Sequence, residues 1–401
     1  NNSGKHANYL KPRMSFVLSD DQEAIKDSVK KICDQFSPQY WRDLDKAGEF
    51  PEDFVKAITD GGWLGIAMPE EYGGAGLGIM EAAVLAHTIS NSGAGFSGAS
   101  AIHLNLFGPH PIVVFGTEEQ KKRFLPPLIK GEERACFAVT EPDSGLNTLA
   151  LNTEAVRDGD NYVVNGKKLW TTTAQTANKI LLITRTMAAD SGSPLSKGLT
   201  LFYTDLNRDR IEVREIEKMG RGAVDSNSLF IDELVVPATD RIGEEGEGWK
   251  CLLHGINPER ILIAAEAVGL GEAALERASR YARERVVFDR PIGKNQAIQH
   301  PLAVNWMELQ AALGMVYKAA SLYDQGKDCA LEANAAKYLA AEAGLSACQQ
   351  AVRVHGGMGY AKEYHVERYL REIMISVVAP VSQEMIKSFV AEKALFQTKS
   401  Y

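Results

Sequence analysis

The chain has 401 residues, a formal net charge of −8, 45% hydrophobic residues and 24% charged residues. A single hydrophobic core stops growing below this size, so two or three packed modules are expected. No apolar run approaches the ~18 residues that a membrane span needs, and the acidic balance argues against a broad basic footprint, so neither a membrane nor a nucleic acid is an expected partner.

The first thirteen residues, NNSGKHANYLKPR, lack the apolar core of a signal peptide and read as a tail or an expression remnant, residues 1–13. A first module spans residues 14–135. At its start SDDQ (Ser19 to Gln22) has the form of a capping box, and Ile25, Val29 and Ile32 then repeat at helical spacing. Further helical stretches follow, broken by PEEYGGAGLG (Pro69 to Gly78), which is too glycine-rich for a helix and predicts a loop. The second module, residues 136–245, changes character. NYVVNGKKLW reads as β-prone runs about an Asn165-Gly166 turn, and KILLIT, GLTLFYTDL and SLFIDELVVP are further short strands. In the third module, residues 246–401, Trp306, Leu309, Leu313, Val316 and Ala320 return to three- and four-residue steps. The expected fold is α+β and mostly α: an N-terminal helical domain, a central antiparallel β-sandwich or barrel, and a C-terminal four-helix bundle.

The five cysteines are scattered and odd in number, with no CxxC pairing, which suggests a reducing compartment and neither a disulfide framework nor a zinc site. The eight histidines show no metal-ligand spacing, and no metal is expected. A Rossmann fingerprint is absent, so a dinucleotide would not be held in the doubly wound manner.

Five segments, in order and at family spacing, resemble acyl-CoA dehydrogenases: PEEYGGAGLG, ACFAVTEPDSG (Ala135 to Gly145), NGKKLWTTTA (Asn165 to Ala174), RVVFDRPIGKNQAIQ (Arg285 to Gln299) and VHGGMGY (Val354 to Tyr360). An isoalloxazine ring needs an apolar wall and hydrogen-bond donors along its polar edge, and Trp170, Thr140 and Thr172 are residues of that kind. The resemblance implies FAD as cofactor, with Phe137, Val139, Thr140 and Gly145 along the flavin, Trp170 on the ring and Thr172 near N5. It also implies that Arg285, Phe288 and Gln296 reach the FAD of a neighbouring subunit, so that the protein is a homotetramer or homodimer. Arg353 and Gly357 fall where relatives meet the nucleotide, and Ser382 and Glu384 where they turn about the flavin.

The reaction of this family needs a carboxylate at the substrate α-carbon, whose proton is weakly acidic until the thioester oxygen is polarised. In many members that glutamate lies in a C-terminal Glu-Gly-Thr stretch. Here the stretch reads VVAPVSQEM, with Pro380 at the glutamate's place and Ser382 at the threonine's. A smaller branch resembling isovaleryl-CoA and long-chain acyl-CoA dehydrogenases carries the base on an earlier helix, directly before an arginine, and this chain reads INPERILIAAEAVGLG there. The resemblance thus makes Glu259 the catalytic base, at what reads as a helix start marked by Pro258, with Arg260, Asn257 and Leu146 toward the substrate and Glu384 as a rival carboxylate. Proline has no N–H, so the amide that polarises the thioester is lost at Pro380; either Ala379 replaces it after a one-residue shift, or a flavin ribityl hydroxyl carries the load. Leu146 and Asn147 replace the family's Ser-Asp, Arg353 a glutamine and Asp289 a glycine.

The implied activity is α,β-dehydrogenation of an acyl-CoA, with electrons passing to an electron-transfer flavoprotein or to oxygen. Two alternatives stand beside it: an enoyl-thioester reductase or a dehydrogenase of carrier-bound or β-substituted acyl groups, and a flavin-binding protein without catalysis. The expected compartment is the cytoplasm, or the mitochondrial matrix if a transit peptide has been removed.

Overall fold

A computed structural model describes residues 17–188 and 193–400; the segment read as a tail, residues 1–13, lies outside the described residues. The chain opens with helices α1 (Asp20–Cys33), α2 (Pro38–Ala47), α3 (Glu52–Asp60), α4 (Ile79–Ile89), α5 (Gly95–Phe107), α6 (His110–Phe115) and α7 (Glu118–Ile129). Strands β1 (Ala135–Ala138), β2 (Glu154–Asp158), β3 (Asn161–Thr172), β4 (Lys179–Arg185), β5 (Leu199–Asp205), β6 (Ile211–Glu215), β7 (Ser226–Pro237) and β8 (Arg241–Ile242) follow. After them come α8 (Gly248–Glu284), a hairpin of β9 (Val286–Val287) and β10 (Arg290–Pro291), then α9 (Gln296–Asp324), α10 (Ala330–His355), α11 (Gly357–Tyr360), α12 (Val366–Val378) and α13 (Gln383–Leu395). The fold is α+β and mostly α, in the order helical, β, helical.

Local signals explain where elements begin. Ser19 Oγ accepts from Gln22 N at 3.2 Å while Gln22 Oε1 accepts from Ser19 N at 3.0 Å, a reciprocal capping box that starts α1. The bundle forms from α8, α9, α10 and α12 packed on one another. Its core is continuous with that of the first helices: Trp41, Phe54, Ala82 and Phe96 belong to one apolar cluster with Val268, Leu309 and Ala340. The two helical modules are thereby joined through a shared interior.

The sheet runs β6-β7-β3-β2-β4-β5-β8, with β1 added against β4. Most pairs are antiparallel, but β1 lies parallel to β4, a geometry the long connection between them permits. Alternation along β4 sends Ile180 and Leu182 into the core inside the sheet and Leu181 and Ile183 toward a second cluster that includes Phe124 and Leu125 of α7. The sheet is therefore clamped to the helical part from one face.

Two local readings are corrected. Asn165-Gly166 is no turn: β3 continues through it, and the register against β7 shifts between Val164 and Gly166. Asn165 Oδ1 instead accepts from Glu233 N at 2.8 Å, and a Cβ at Gly166 would sit 2.7 Å from Thr153 Cα, so the glycine serves close backbone approach inside a sheet irregularity. Pro258 does not start a helix either. It lies about three turns inside the 37-residue α8. The bond lost to the His254 carbonyl is outweighed because Gly255, Pro258, Ile261 and Leu262 are all buried in tertiary packing.

Among the described residues no single helix is long and apolar enough to cross a membrane; α12 and α13 meet that test only as a pair bent by 41°. All five cysteines are buried and unbridged.

Candidate active site

The β module builds one wall from the segment that follows β1. Glu141 is anchored there by three donors: Lys168 Nζ at 2.9 Å, Thr153 N at 2.9 Å and Asn152 N at 2.6 Å. Lys168 Nζ also donates to Val139 O at 3.0 Å. Both side chains are out of water, at 0% and 5% exposure, so the pair ties the segment after β1 to β3 from beneath. One residue beyond Lys168 the β3 register shifts again, and Leu169 N donates to Thr140 O at 2.8 Å instead of continuing the ladder. The resulting bulge carries Trp170 at φ 63°, with the residue 52% exposed. A bulky residue at positive φ is a strained outlier, and such strain persists where the surroundings impose it and clusters at functional sites.

Phe137, Val139, Thr140, Trp170 and Thr172 thus share one end of the sheet. The Thr140 and Thr172 hydroxyls make no hydrogen bond among the described residues, although both residues are half-buried. Gly145 and Leu146 continue on an exposed turn where a Cβ on Gly145 would meet nothing within 4 Å. An uncovered aromatic face, free hydroxyls and an open glycine turn fit a planar ring system with a polar edge, the requirement of a flavin.

A second group of polar side chains lies on α8. Glu259 is half-buried, and burial pushes its carboxyl above the usual carboxylate range against the pull of His103 and Arg260. Burial likewise lowers the Arg260 guanidinium, whose Nε has no partner among the described residues. His103 on α5 bonds Glu266 of α8, Nδ1 to Oε1, at 2.6 Å. Its ring meets Phe107 edge-on at 4.8 Å, and Phe107 meets Phe137 of β1 at 6.1 Å. This run of contacts carries the helix of Glu259 across to the β wall. His103, Glu266 and Phe107 were not singled out from the sequence, where they sit in helical stretches with nothing local to mark them.

Around Pro380 the groups are already engaged. Ala379 N donates to Ile375 O at 2.9 Å as the last bond of α12, so its amide is occupied. Lys337 Nζ, with its pKa brought by burial to about 8, donates to Val381 O at 2.7 Å and holds the turn. Ser382 Oγ accepts from Met385 N at 3.2 Å and caps α13. Glu384 lies in the first turn of α13 with its side chain 78% exposed, 3.8 Å from Lys387 Nζ, far from the burial that gives Glu259 its character. Arg353 and Gly357 are exposed at the α10–α11 junction, and Arg285, Phe288 and Gln296 are exposed around the β9–β10 hairpin. Phe288 stands 93% exposed at φ 52°. No hydrogen bond or ring contact joins that hairpin to the Trp170 end among the described residues.

A strained, exposed tryptophan beside unbonded hydroxyls, with a half-buried carboxylate on α8, is an arrangement of the kind a flavin-dependent oxidoreductase uses. Comparison with known proteins covers most of the chain. The acyl-CoA dehydrogenase N-terminal domain matches residues 19–132, the middle domain residues 136–234 and the C-terminal domain residues 246–395. The chain is 35% identical over 393 residues to the acyl-CoA dehydrogenase FadE12 of Mycobacterium tuberculosis, covering 96% of this chain and 99% of that protein. It is 33% identical over 383 residues to the 3-(aryl)acrylate reductase of Clostridium sporogenes, covering 94% and 99%. The structure of butyryl-CoA dehydrogenase from Megasphaera elsdenii superposes with a TM-score of 0.90 at 28% identity, covering 96% of this chain and all of that one. The chain belongs to the acyl-CoA dehydrogenase family and is an FAD-dependent oxidoreductase acting on acyl-CoA.

Proposed function

We propose that the enzyme carries out α,β-dehydrogenation of an acyl-CoA thioester with Glu259 as its base. The observation that carries this reading is the placement of Glu259. It is a half-buried carboxylate with its pKa raised by burial, on the helix that Phe107 and His103 link to the Phe137 wall. A raised pKa makes an ionised carboxylate a stronger proton acceptor near neutral pH. FAD, when bound, accepts the hydride from the substrate β-carbon. Phe137, Val139, Thr140, Gly145 and Thr172 line that ring, Trp170 covers its face, and Leu146, Asn257 and Arg260 border the acyl thioester. Arg285, Phe288 and Gln296, exposed on and beside the β9–β10 hairpin, serve the FAD of a second subunit in a homodimer or homotetramer. Arg353, Gly357 and Ser382 complete the nucleotide and ring contacts. Because the Ala379 amide is occupied, polarisation of the thioester falls to other groups.

The electrons leave to an electron-transfer flavoprotein or to oxygen. Both curated relatives named above are bacterial, which supports a cytoplasmic setting. Anaerobic titration with straight, branched and β-substituted acyl-CoAs, followed by flavin absorbance, tests the reading. Bleaching by at least one saturated thioester is expected, and no bleaching by any of them would defeat it. A second reading, reduction of an enoyl group, is supported by the 3-(aryl)acrylate reductase among the relatives. It wins if the reduced enzyme is reoxidised by an enoyl or arylacryloyl thioester while saturated thioesters leave the flavin unchanged.

A further inference from the structure

Helices α5 and α8 pack on one another, and the contacts along their crossing have an order. At the end nearer β1, the Phe107 and Phe137 rings are 6.1 Å apart, and a Cβ on Gly255 of α8 would lie 3.7 Å from Phe107 Cδ2. Further along, His103 bonds Glu266, Nδ1 to Oε1, at 2.6 Å. Glu259 lies between Gly255 and Glu266 on α8, and Leu262 and Ile263 occupy the three- and four-residue steps between the two acids. Ser100 comes last on α5, two turns from Phe107, about 10 Å along the helix.

Arg221, from the loop between β6 and β7, meets the far end of this run: its Nη1 donates to Ser100 Oγ at 3.1 Å. The loop is clamped on both sides of it. Arg371 Nη1 donates to Met219 O at 3.3 Å, Gly222 N donates to Asp45 Oδ1 at 2.9 Å, and Arg371 Nη2 binds Asp45 Oδ2 at 2.9 Å. Arg221 itself stands at φ 55°, a conformation that is costly for a residue with a long side chain and persists where the surroundings impose it.

A guanidinium carries a fork of N–H donors that suits a carboxylate with two parallel bonds. This one is half-buried, yet the Ser100 hydroxyl is its sole hydrogen-bond partner and it forms no ion pair among the described residues. The acids that face it are engaged elsewhere. Glu372 accepts from Arg368 Nη1 at 2.9 Å and Ser97 Oγ at 2.7 Å, and Asp225 accepts from Gln175 N at 2.9 Å and Asn227 Nδ2 at 2.6 Å. Glu266 is held by His103 and does not close on Arg221, although its Oε2 has no partner among the described residues. A charge drawn out of water without a countercharge is costly, so a bound anion would relieve it. Resting on the reading of Glu259 as base at the α-carbon of an acyl-CoA, we infer that Arg221 and Ser100 form a carboxylate-binding subsite for the distal end of the acyl group. The substrate is then a dicarboxylic acid joined to CoA through one carboxyl, its methylenes lying along Leu262 and Ile263.

The test is anaerobic flavin reduction in the FAD-loaded enzyme with matched thioesters: succinyl-, glutaryl-, adipyl- and suberyl-CoA, each against the straight-chain acyl-CoA of the same carbon count. At one length or more, the carboxylate-ended thioester is expected to half-saturate reduction at a concentration about ten- to a hundredfold below its neutral counterpart, the scale of a hydrogen bond to a charged group. Arg221→Gln is expected to abolish that preference and Arg221→Lys to restore part of it, with flavin content and unfolding temperature followed in each. Ser100→Ala is expected to weaken the preference in the same direction, and it carries the test if Arg221→Gln disturbs the loop. Neutral thioesters that serve the wild type as well as carboxylate-ended ones at every length overturn the subsite and leave the dehydrogenation intact. An Arg221→Gln enzyme weakened equally toward both kinds overturns it too, as the signature of a purely structural arginine. Reduction by no thioester of either kind defeats the acyl-CoA dehydrogenation reading itself, and the subsite with it.

Discussion

Replacing Lys168 by methionine removes the countercharge of a carboxylate that water cannot reach. Glu141 would keep two backbone donors, Asn152 N at 2.6 Å and Thr153 N at 2.9 Å, but no cation. Breaking a buried pair on one side costs about 3–5 kcal/mol, and the lost bond to Val139 O adds about 1 kcal/mol. At ~2 °C per kcal/mol for a large cooperative unit, the unfolding temperature is expected to fall by about 8–12 °C. Thermal unfolding of the FAD-loaded protein, read by circular dichroism and by flavin fluorescence, measures it. The double variant Lys168→Met/Glu141→Gln should recover about half of the loss, since a neutral amide leaves no buried charge. The pH dependence has a definite sign. Burial acts to raise the Glu141 carboxyl, but Lys168 and the Thr153 and Asn152 donors outweigh it and hold it below the ordinary value. A depressed carboxylate stabilises the fold above its unfolded pKa of about 4.3 and loses that contribution as pH falls through the folded value. The wild type should therefore lose the carboxylate's contribution as the pH falls into the acid range, whereas Lys168→Met lacks it already at neutral pH. A single variant that unfolds within about 2 °C of wild type, at the same ~2 °C per kcal/mol, would refute the reasoning.

Trp170→Gly relieves a positive φ while deleting the ring, so the stability of the FAD-free protein should change by less than ~1 kcal/mol, whereas the flavin-to-protein ratio after gel filtration should drop sharply. Gly166→Ala places a Cβ 2.4 Å from Thr153 Oγ1 and 2.7 Å from its Cα. Denaturant unfolding should show a loss of about 1–3 kcal/mol. Phe288→Ala removes a side chain that is 93% exposed in the single chain, so the fold should hold within about 0.5 kcal/mol. Light scattering should nonetheless show a smaller assembly, and flavin content should fall with it.

What could be read in advance followed from periodicity and from short-range chemistry. The Ser19 capping box is legible because both of its bonds close within three residues, and the helical step from Trp306 to Ala320 continues through α9. Asn165-Gly166 misled because the same dipeptide that favours a tight turn also suits a backbone pressed against Thr153, and only strand pairing tells them apart. Pro258 misled because burial of the α8 face overrides the local preference for a helix start. The charge cluster beside Glu259 was illegible for a different reason: His103 and Glu266 are 163 residues apart and meet only when α5 crosses α8. The bulge that exposes Trp170 was likewise invisible, since its cause is a register shift against β7 rather than anything in the WTTT sequence.

The most direct measurement of the central claim is anaerobic flavin reduction in Glu259→Gln, mixed with an acyl-CoA that bleaches the wild type. Glutamine keeps the shape at that position and removes the proton acceptor. The account requires a variant that retains FAD and still binds the thioester, seen as a perturbed flavin spectrum, while reduction slows by at least about a hundredfold, the scale of a lost general base. Reduction at the wild-type rate would contradict it and move the search for the base to another carboxylate, Glu384 first.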